Sequence, residues 1–212
     1  MSGKIIVIEG MEHNIKETQV HLLEKKLKEN DIKCIRFEFP MYNTPTGKIV
    51  DMANITKNSK EIFKEGALNV DPYVTSLYYA ADRKYNMKEI NKYLEKGYYV
   101  IIDRYVPSNL AFQGSKIKDK DERFEMYQWI DKLEYWLLKL PKPDITIFLK
   151  IPNDFLNEKD NEYLKDTEDA YLELSELYNW DIVECVKDNE FKDENKINEE
   201  IYNIVIKKEN FD

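Results

Sequence analysis

Five short runs of apolar and β-branched residues punctuate the chain: Lys4–Glu9 (KIIVIE), Lys33–Phe39 (KCIRFEF), Tyr98–Asp103 (YYVIID), Asp144–Leu149 (DITIFL) and Asp181–Val186 (DIVECV). Three of them are apolar almost throughout instead of alternating, the pattern of parallel strands covered on both faces. Between the runs, apolar residues recur at helical spacing. Thr18–Asn30 carries Val20, Leu22, Leu23 and Leu27. Asp71 and Pro72 supply an N-cap and a first-turn residue for a helix over Tyr73–Glu95, closed by Gly97. Further helices are predicted over Asp121–Leu140, Glu158–Tyr178 and Lys196–Lys207. Strands alternating with helices predict an α/β doubly wound parallel sheet. No repeat, low-complexity linker or boundary interrupts the pattern, so residues 1–212 read as one domain.

Composition narrows the function. With 42% hydrophobic residues the chain can build a sizeable core, which excludes a disordered or collagen-like polymer. Forty-one acids against 32 bases give a net charge of −9, which disfavours a general nucleic-acid or anionic-membrane binder. No stretch approaches the ~18 apolar residues of a membrane span. The first residues run directly into a strand-like segment, so no signal peptide is read there. Cys34 and Cys185 lie far apart without metal-ligand spacing, as buried thiols in a reducing cytoplasm would. Only four of the 32 basic residues are arginines, which makes each one a candidate for bidentate phosphate binding.

The candidate chemistry lies where predicted strands end. Glu9-Gly10 is followed by Met11-Glu12-His13-Asn14-Ile15-Lys16-Glu17-Thr18. Against a phosphate-binding loop, G-x-x-x-x-G-K-[ST], Gly10 and Lys16 fall at the required interval between strand and helix. Ile15 replaces the second glycine, and Glu17 stands at the hydroxyl position. The third run ends in Asp103-Arg104-Tyr105 and continues through Ser108 to Phe112-Gln113-Gly114. An acid and an arginine at the carboxyl end of a strand sit where open α/β sheets bind ligands. Phe39-Pro40 follows the second run, with Tyr42, Thr44, Pro45 and Gly47 soon after. Tyr79 and Arg83 are i and i+4 on one helix face, an aromatic and a guanidinium fit for a base and a phosphate.

Together these segments resemble the thymidylate kinases of the P-loop nucleoside monophosphate kinase superfamily. The likeness extends over nearly the whole chain, from IIVIEG through FP, YYAADR, DRYVPSNLAFQG and PDITIFL to the last strand. It implies a P-loop NTPase-like three-layer fold with a five-stranded parallel sheet of order 2-3-1-4-5. The implied reaction moves the γ-phosphoryl of ATP to dTMP, or a related deoxynucleotide, with Mg²⁺, in a homodimer assembled through helices. By resemblance Tyr79 stacks on thymine, Arg83 meets the thymine carbonyl and Arg104 holds the monophosphate. Asp103 organises Mg²⁺, and Phe112 excludes a ribose 2′-hydroxyl beside Gln113 and Ser108. Phe39 and Pro40 belong to the same substrate pocket. Glu12, usually an aspartate, meets the sugar 3′-hydroxyl, and Tyr163 covers the base. Lys16, Asp103 and Arg104 are the implied catalytic groups. The ATP side comprises Gly10, His13, Ile15, Lys16, Glu17 and Thr18.

Departures from the pattern cluster on that ATP side. A phosphate nest needs positive φ at some positions, and a β-branched Ile15 there would cost about 1–2 kcal/mol. Glu17 places a carboxylate where an anion should bind. The basic lid expected after the PDITIFL strand is short, with Ile151-Pro152-Asn153-Asp154 leading quickly to the helix near Glu158. Between Lys150 and Trp180 there is no arginine, and only Lys159 and Lys165 are basic. Tyr42 stands where many members carry a phosphate-binding arginine. The resulting expectation is a kept monophosphate pocket with phosphoryl transfer weakened or lost, and a partner that is a second copy or an active kinase. The alternative is an active deoxynucleoside monophosphate kinase with an atypical loop.

Overall fold

A computed structural model describes residues 3–53, 63, 69–156 and 162–209. Five parallel strands, β1 (Lys4–Glu9), β2 (Cys34–Glu38), β3 (Tyr99–Asp103), β4 (Ile145–Lys150) and β5 (Asp181–Glu184), form one sheet in the order β2-β3-β1-β4-β5. This is the architecture and strand order that the sequence implied. Alternate residues of each strand feed opposite faces, and both faces are covered. Ile5, Val7, Val100, Ile102 and Phe148 meet α3 (Pro72–Glu95), α4 (Val106–Gly114), α5 (Lys120–Asp131) and α6 (Glu162–Tyr178). Ile6, Ile8, Ile101, Ile147 and Leu149 meet α1 (His13–Glu29) and α7 (Glu194–Glu209). Burial on both faces is the physical reason that the runs read as continuously apolar.

Several boundaries differ from the sequence reading. The helix expected from Thr18 begins at His13, five residues earlier. The helix expected over Asp121–Leu140 is α-helical to Asp131 and then widens into a π-helix over Lys132–Leu137, seen in the Leu138 N–H donating to the Leu133 carbonyl at 2.9 Å. The fifth run is interrupted after Glu184. Val186–Lys187 instead pairs antiparallel with Glu190–Phe191, turning at Asp188 and Asn189, whose φ values of 52° and 62° suit a tight hairpin. Two helices have no counterpart in the sequence reading, α2 (Pro45–Ala53) and α4, each short and opened by or beside a proline. Of the helix expected from Glu158, residues 162–178 are described; Glu158 and Lys159 lie outside the described residues.

The parallel register brings the chemistry to one edge. Ile8 pairs with Asp103 and Glu38 pairs with Asp103 from the other side, so the carboxyl ends of β1, β2 and β3 are level. Asp71 caps α3 by accepting from the Tyr73 and Val74 N–H groups, as its position before Pro72 predicted.

Candidate active site

At that edge the chain leaves β1 through Gly10, whose φ of +157° and close approach to the Leu149 carbonyl leave little place for a side chain. Glu12 is the N-cap of α1, with φ −81° and ψ 117°, and accepts from the Lys16 N–H through its own carbonyl. Ile15 is therefore helical. The expected strain of a β-branched residue at positive φ does not arise, because helix winding begins at His13 and carries Ile15 with it. Only Gly10, Met11 and Glu12 remain as loop, and no described residue between Met11 and Thr18 has positive φ. Glu17 is exposed on α1, with Thr18 half-buried beside it.

Lys16 extends inward from the first turns of α1 and is almost fully buried. Its Nζ lies 3.1 Å from Asp103 Oδ1, at the end of β3. The two atoms are close but poorly aligned, and neither makes a hydrogen bond. Burial, then the charge of Arg104, push the Lys16 ammonium down to about 8 against the pull of Asp103. A buried cation with unspent donors is suited to an incoming anion.

Arg104 follows with a left-handed φ of 61°, an unfavourable conformation for a residue with a Cβ. The turn is tied down on both sides. The Arg104 N–H donates to the Ile8 carbonyl at 3.2 Å, while the next amide, Tyr105 N–H, donates to Glu9 Oε1 at 2.9 Å. Its guanidinium donates to the Met11 carbonyl at 3.2 Å and to Ser108 Oγ at 3.4 Å, and sits 5.1 Å over the Phe112 ring. Among the described residues Arg104 is the one arginine without a carboxylate salt bridge: Arg36 pairs with Glu24, Arg83 with Glu134 and Arg123 with Glu173.

Aromatic side chains stand near Arg104. Tyr79 is buried enough to push its phenol up to about 12, and its surroundings include Tyr42, Arg104 and Arg83. Tyr163, from α6, donates to the Phe112 carbonyl at 2.9 Å, with its ring 6.4 Å from that of Phe112. Phe39 is buried against Tyr105, and a cis peptide joins it to Pro40. The loop that follows is pinned by Asp82, which accepts from Met41 N–H at 2.9 Å, Thr46 Oγ1 at 2.7 Å and Asn86 Nδ2 at 2.8 Å. Gln113 is buried with its Oε1 lacking a hydrogen bond.

The resemblance assigns Arg83 to the thymine carbonyl, and in the structure Glu134 engages its guanidinium. Its Nε and Nη2 each donate to Glu134 at 2.5 Å, and Nη1 reaches the Tyr105 carbonyl at 3.5 Å. The guanidinium is thus held in the core, where Glu134 also accepts from Asn109 Nδ2 at 2.9 Å. The structure therefore gathers Lys16, Asp103, Arg104, Ser108, Phe112, Tyr79 and Tyr163, while committing the Arg83 charge to Glu134. Sequence reasoning missed Glu9, Asp82, Asn109, Glu134 and Tyr171. Of these Glu9 carried a signal, as an acid closing an otherwise apolar central strand.

No three His, Cys, Asp or Glu side chains among the described residues cluster closely enough to hold a metal alone. Asp103 offers one carboxylate with an unbonded oxygen, which suits Mg²⁺, an ion commonly held through one or two carboxylates together with substrate phosphates.

A family model described as thymidylate kinase matches residues 8–201. A probable thymidylate kinase of Methanocaldococcus jannaschii is 31% identical over 216 residues, covering 97% of this chain and 95% of that protein. A thymidylate kinase of Schizosaccharomyces pombe is 32% identical over 149 residues, 70% of this chain, although the match spans only 61% of the yeast protein. A thymidylate kinase structure from Candida albicans superposes with a TM-score of 0.72 at 24% identity, covering all of this chain and 94% of that one, and so shares its fold. With the strand order, the Lys16–Asp103 edge and this family match in hand, the chain belongs to the thymidylate kinase family.

Proposed function

We propose that the chain, acting as one thymidylate kinase-like domain over residues 1–212, binds dTMP or a related deoxynucleotide and has weak or no phosphoryl transfer from ATP. Tyr79 and Tyr163 flank the base, and Phe112 crowds the 2′ position of the sugar. Gln113 lines the same pocket, and Glu12 meets the 3′-hydroxyl. Arg104 holds the phosphate with a guanidinium that no carboxylate occupies. Mg²⁺, held by Asp103 and phosphate oxygens, would neutralise charge on the transferring group. Lys16 supplies a point charge beside it.

The observation that carries the proposal is the short loop. Phosphoryl transfer depends on positioning and on preorganised donors around the migrating group. Here three residues separate β1 from α1, and the helix has wound over the positions from which a longer loop would direct its N–H groups. The lack of arginine between Lys150 and Trp180 points the same way. One observation favours the alternative, an active kinase with an atypical loop: the Lys16–Asp103 pair is intact. A coupled kinase assay beside calorimetry with dTMP and with ATP separates the two. Binding of dTMP with negligible turnover supports the proposal, and turnover at about 1 s⁻¹ or faster, inside the usual kinase range, rejects it.

The proposed assembly is a homodimer, or a heterodimer with an active kinase, in the cytoplasm. Its support is an apolar face on α3 and the adjoining α2, where Val74, Leu77, Tyr85, Ile49 and Met52 are 40–60% exposed. No described helix is long and apolar enough to cross a membrane.

A further inference from the structure

Glu9 is fully buried at the end of the central strand, yet no role in the proposed chemistry uses it. Burial pushes its carboxyl above the ordinary carboxylate range, opposed by Arg104 and by its hydrogen bonds. Those bonds are unusually directed. Oε1 accepts from the backbone N–H groups of Tyr105 at 2.9 Å and Ser108 at 3.1 Å. Oε2 accepts from Ser108 Oγ at 2.6 Å and Tyr171 Oη at 2.8 Å. Every one of these donors belongs either to the turn after Arg104 or to the helix face behind it. None is the Arg104 guanidinium, which makes no carboxylate ion pair.

We propose that Glu9 is a positioning residue for the phosphate: its carboxylate holds the left-handed Arg104 turn in place while leaving the guanidinium without a carboxylate partner, so that its remaining donors can meet the ligand. The inference rests on the reading of Arg104 as the monophosphate-binding arginine. Two features make the side chain's reach, more than its charge, the operative property. First, Oε1 grips two amides of the β3–α4 junction, which offsets the strain of φ 61° at Arg104. Second, the Oε2 partners are hydroxyls, which can turn round and accept as well as donate. A glutamine can therefore keep both amide bonds through its carbonyl and donate its NH₂ to Ser108 Oγ and Tyr171 Oη. An aspartate keeps the charge but is one methylene too short to reach the amides.

The test compares Glu9→Gln and Glu9→Asp with wild type by calorimetry, using dTMP and thymidine as paired ligands, with circular dichroism to verify folding. Loss of a charge-held contact to the phosphate is worth about 10–100-fold in affinity. Glu9→Asp should lose about that much for dTMP and change little for thymidine, because only the phosphate needs Arg104. Glu9→Gln should retain dTMP affinity within about threefold. Equal losses for both ligands would show a merely structural role and overturn the inference. A folded Glu9→Gln that loses tenfold or more for dTMP would also overturn it, and decides the matter even where Glu9→Asp does not fold. Wild-type protein that binds neither ligand would instead overturn the functional reading on which the inference stands.

Discussion

Binding of dTMP should draw a proton into the protein at mildly alkaline pH. Lys16 is the source of the effect, because burial and the Arg104 charge hold its ammonium at about 8, so close to half of the molecules carry that proton at pH 8. A phosphate on Arg104 reverses the second of those causes and adds its own attraction. At an effective dielectric near 20, two negative charges about 6 Å from Nζ are worth about 5 kcal/mol, or more than three pKa units. Lys16 would then be fully protonated in the complex. The uptake is about half a proton at pH 8, whereas at pH 7 the roughly one-tenth of a proton that Lys16 takes up is offset by about as much released from the ligand. The second ionisation of a phosphate monoester lies near 6, so the ligand itself contributes almost nothing at pH 8. Calorimetric titration at pH 8 in two buffers of different ionisation enthalpy reads the uptake directly, and Lys16→Met should abolish it. The stability sign follows from the same shift. The unfolded chain holds the Lys16 proton more tightly than the folded one, so this group's contribution to stability rises with pH from about 8 to about 10.5. Zero uptake at pH 8 in protein that binds dTMP would refute the reasoning.

Three further outcomes are expected. Arg104→Ala should weaken dTMP by about 1.5–3 kcal/mol, the usual range for hydrogen bonds to a charged group, and unchanged affinity by calorimetry would remove Arg104 from the site. Gly47→Ala should lower the melting temperature by at least about 4 °C, because the new Cβ would clash with the Met41 carbonyl oxygen, in backbone that Asp82 holds fixed; a change within 1 °C by thermal unfolding, the equivalent of less than about 0.5 kcal/mol, would contradict that packing. Replacing His13 and Ile15 by Gly and Glu17 by Ser should tighten ATP binding without bringing turnover to about 1 s⁻¹, and a coupled assay reaching that rate would refute the proposed electrostatic deficit.

What the sequence disclosed depended on how local the physics was. Strands such as Lys4–Glu9 were legible because burial on both faces leaves an unbroken apolar run. The Asp71 cap was legible because its hydrogen bonds reach only two and three residues along the chain. Glu134 was not. At helical spacing it falls on the buried face with Tyr127 and Ile130, but nothing nearby in the chain shows that its partner is Arg83, 51 residues away in sequence. Nothing local revealed that the Arg83 charge already had a partner. The start of α1 failed for a related reason. The motif suggested a loop through Ile15, whereas Ile15 is compatible with right-handed helix and lacks the freedom of the glycine it replaces.

If phosphoryl transfer is weak or absent as proposed, the placement of positive charge argues that changing the loop alone would not supply it. Three of the four arginines are tied to carboxylates at distances from 2.5 to 3.2 Å, and Arg104 alone has no carboxylate on its guanidinium. One such guanidinium is sufficient to hold one phosphate monoester. Transfer requires cationic groups around the phosphoryl that moves, and a single arginine supplied there can be worth about 10³–10⁵ in rate. Lys16 is the remaining buried cation at this edge, and it is a point charge without the planar, bidentate geometry of a guanidinium. Its proton is also held loosely enough that part of the population lacks it at pH 8. Glycines at 13 and 15 would free N–H groups to bind ATP, but they would add no cation to the transition state. The proposed deficit therefore lies in charge as much as in loop shape, and ATP affinity and turnover should separate when only the loop is repaired.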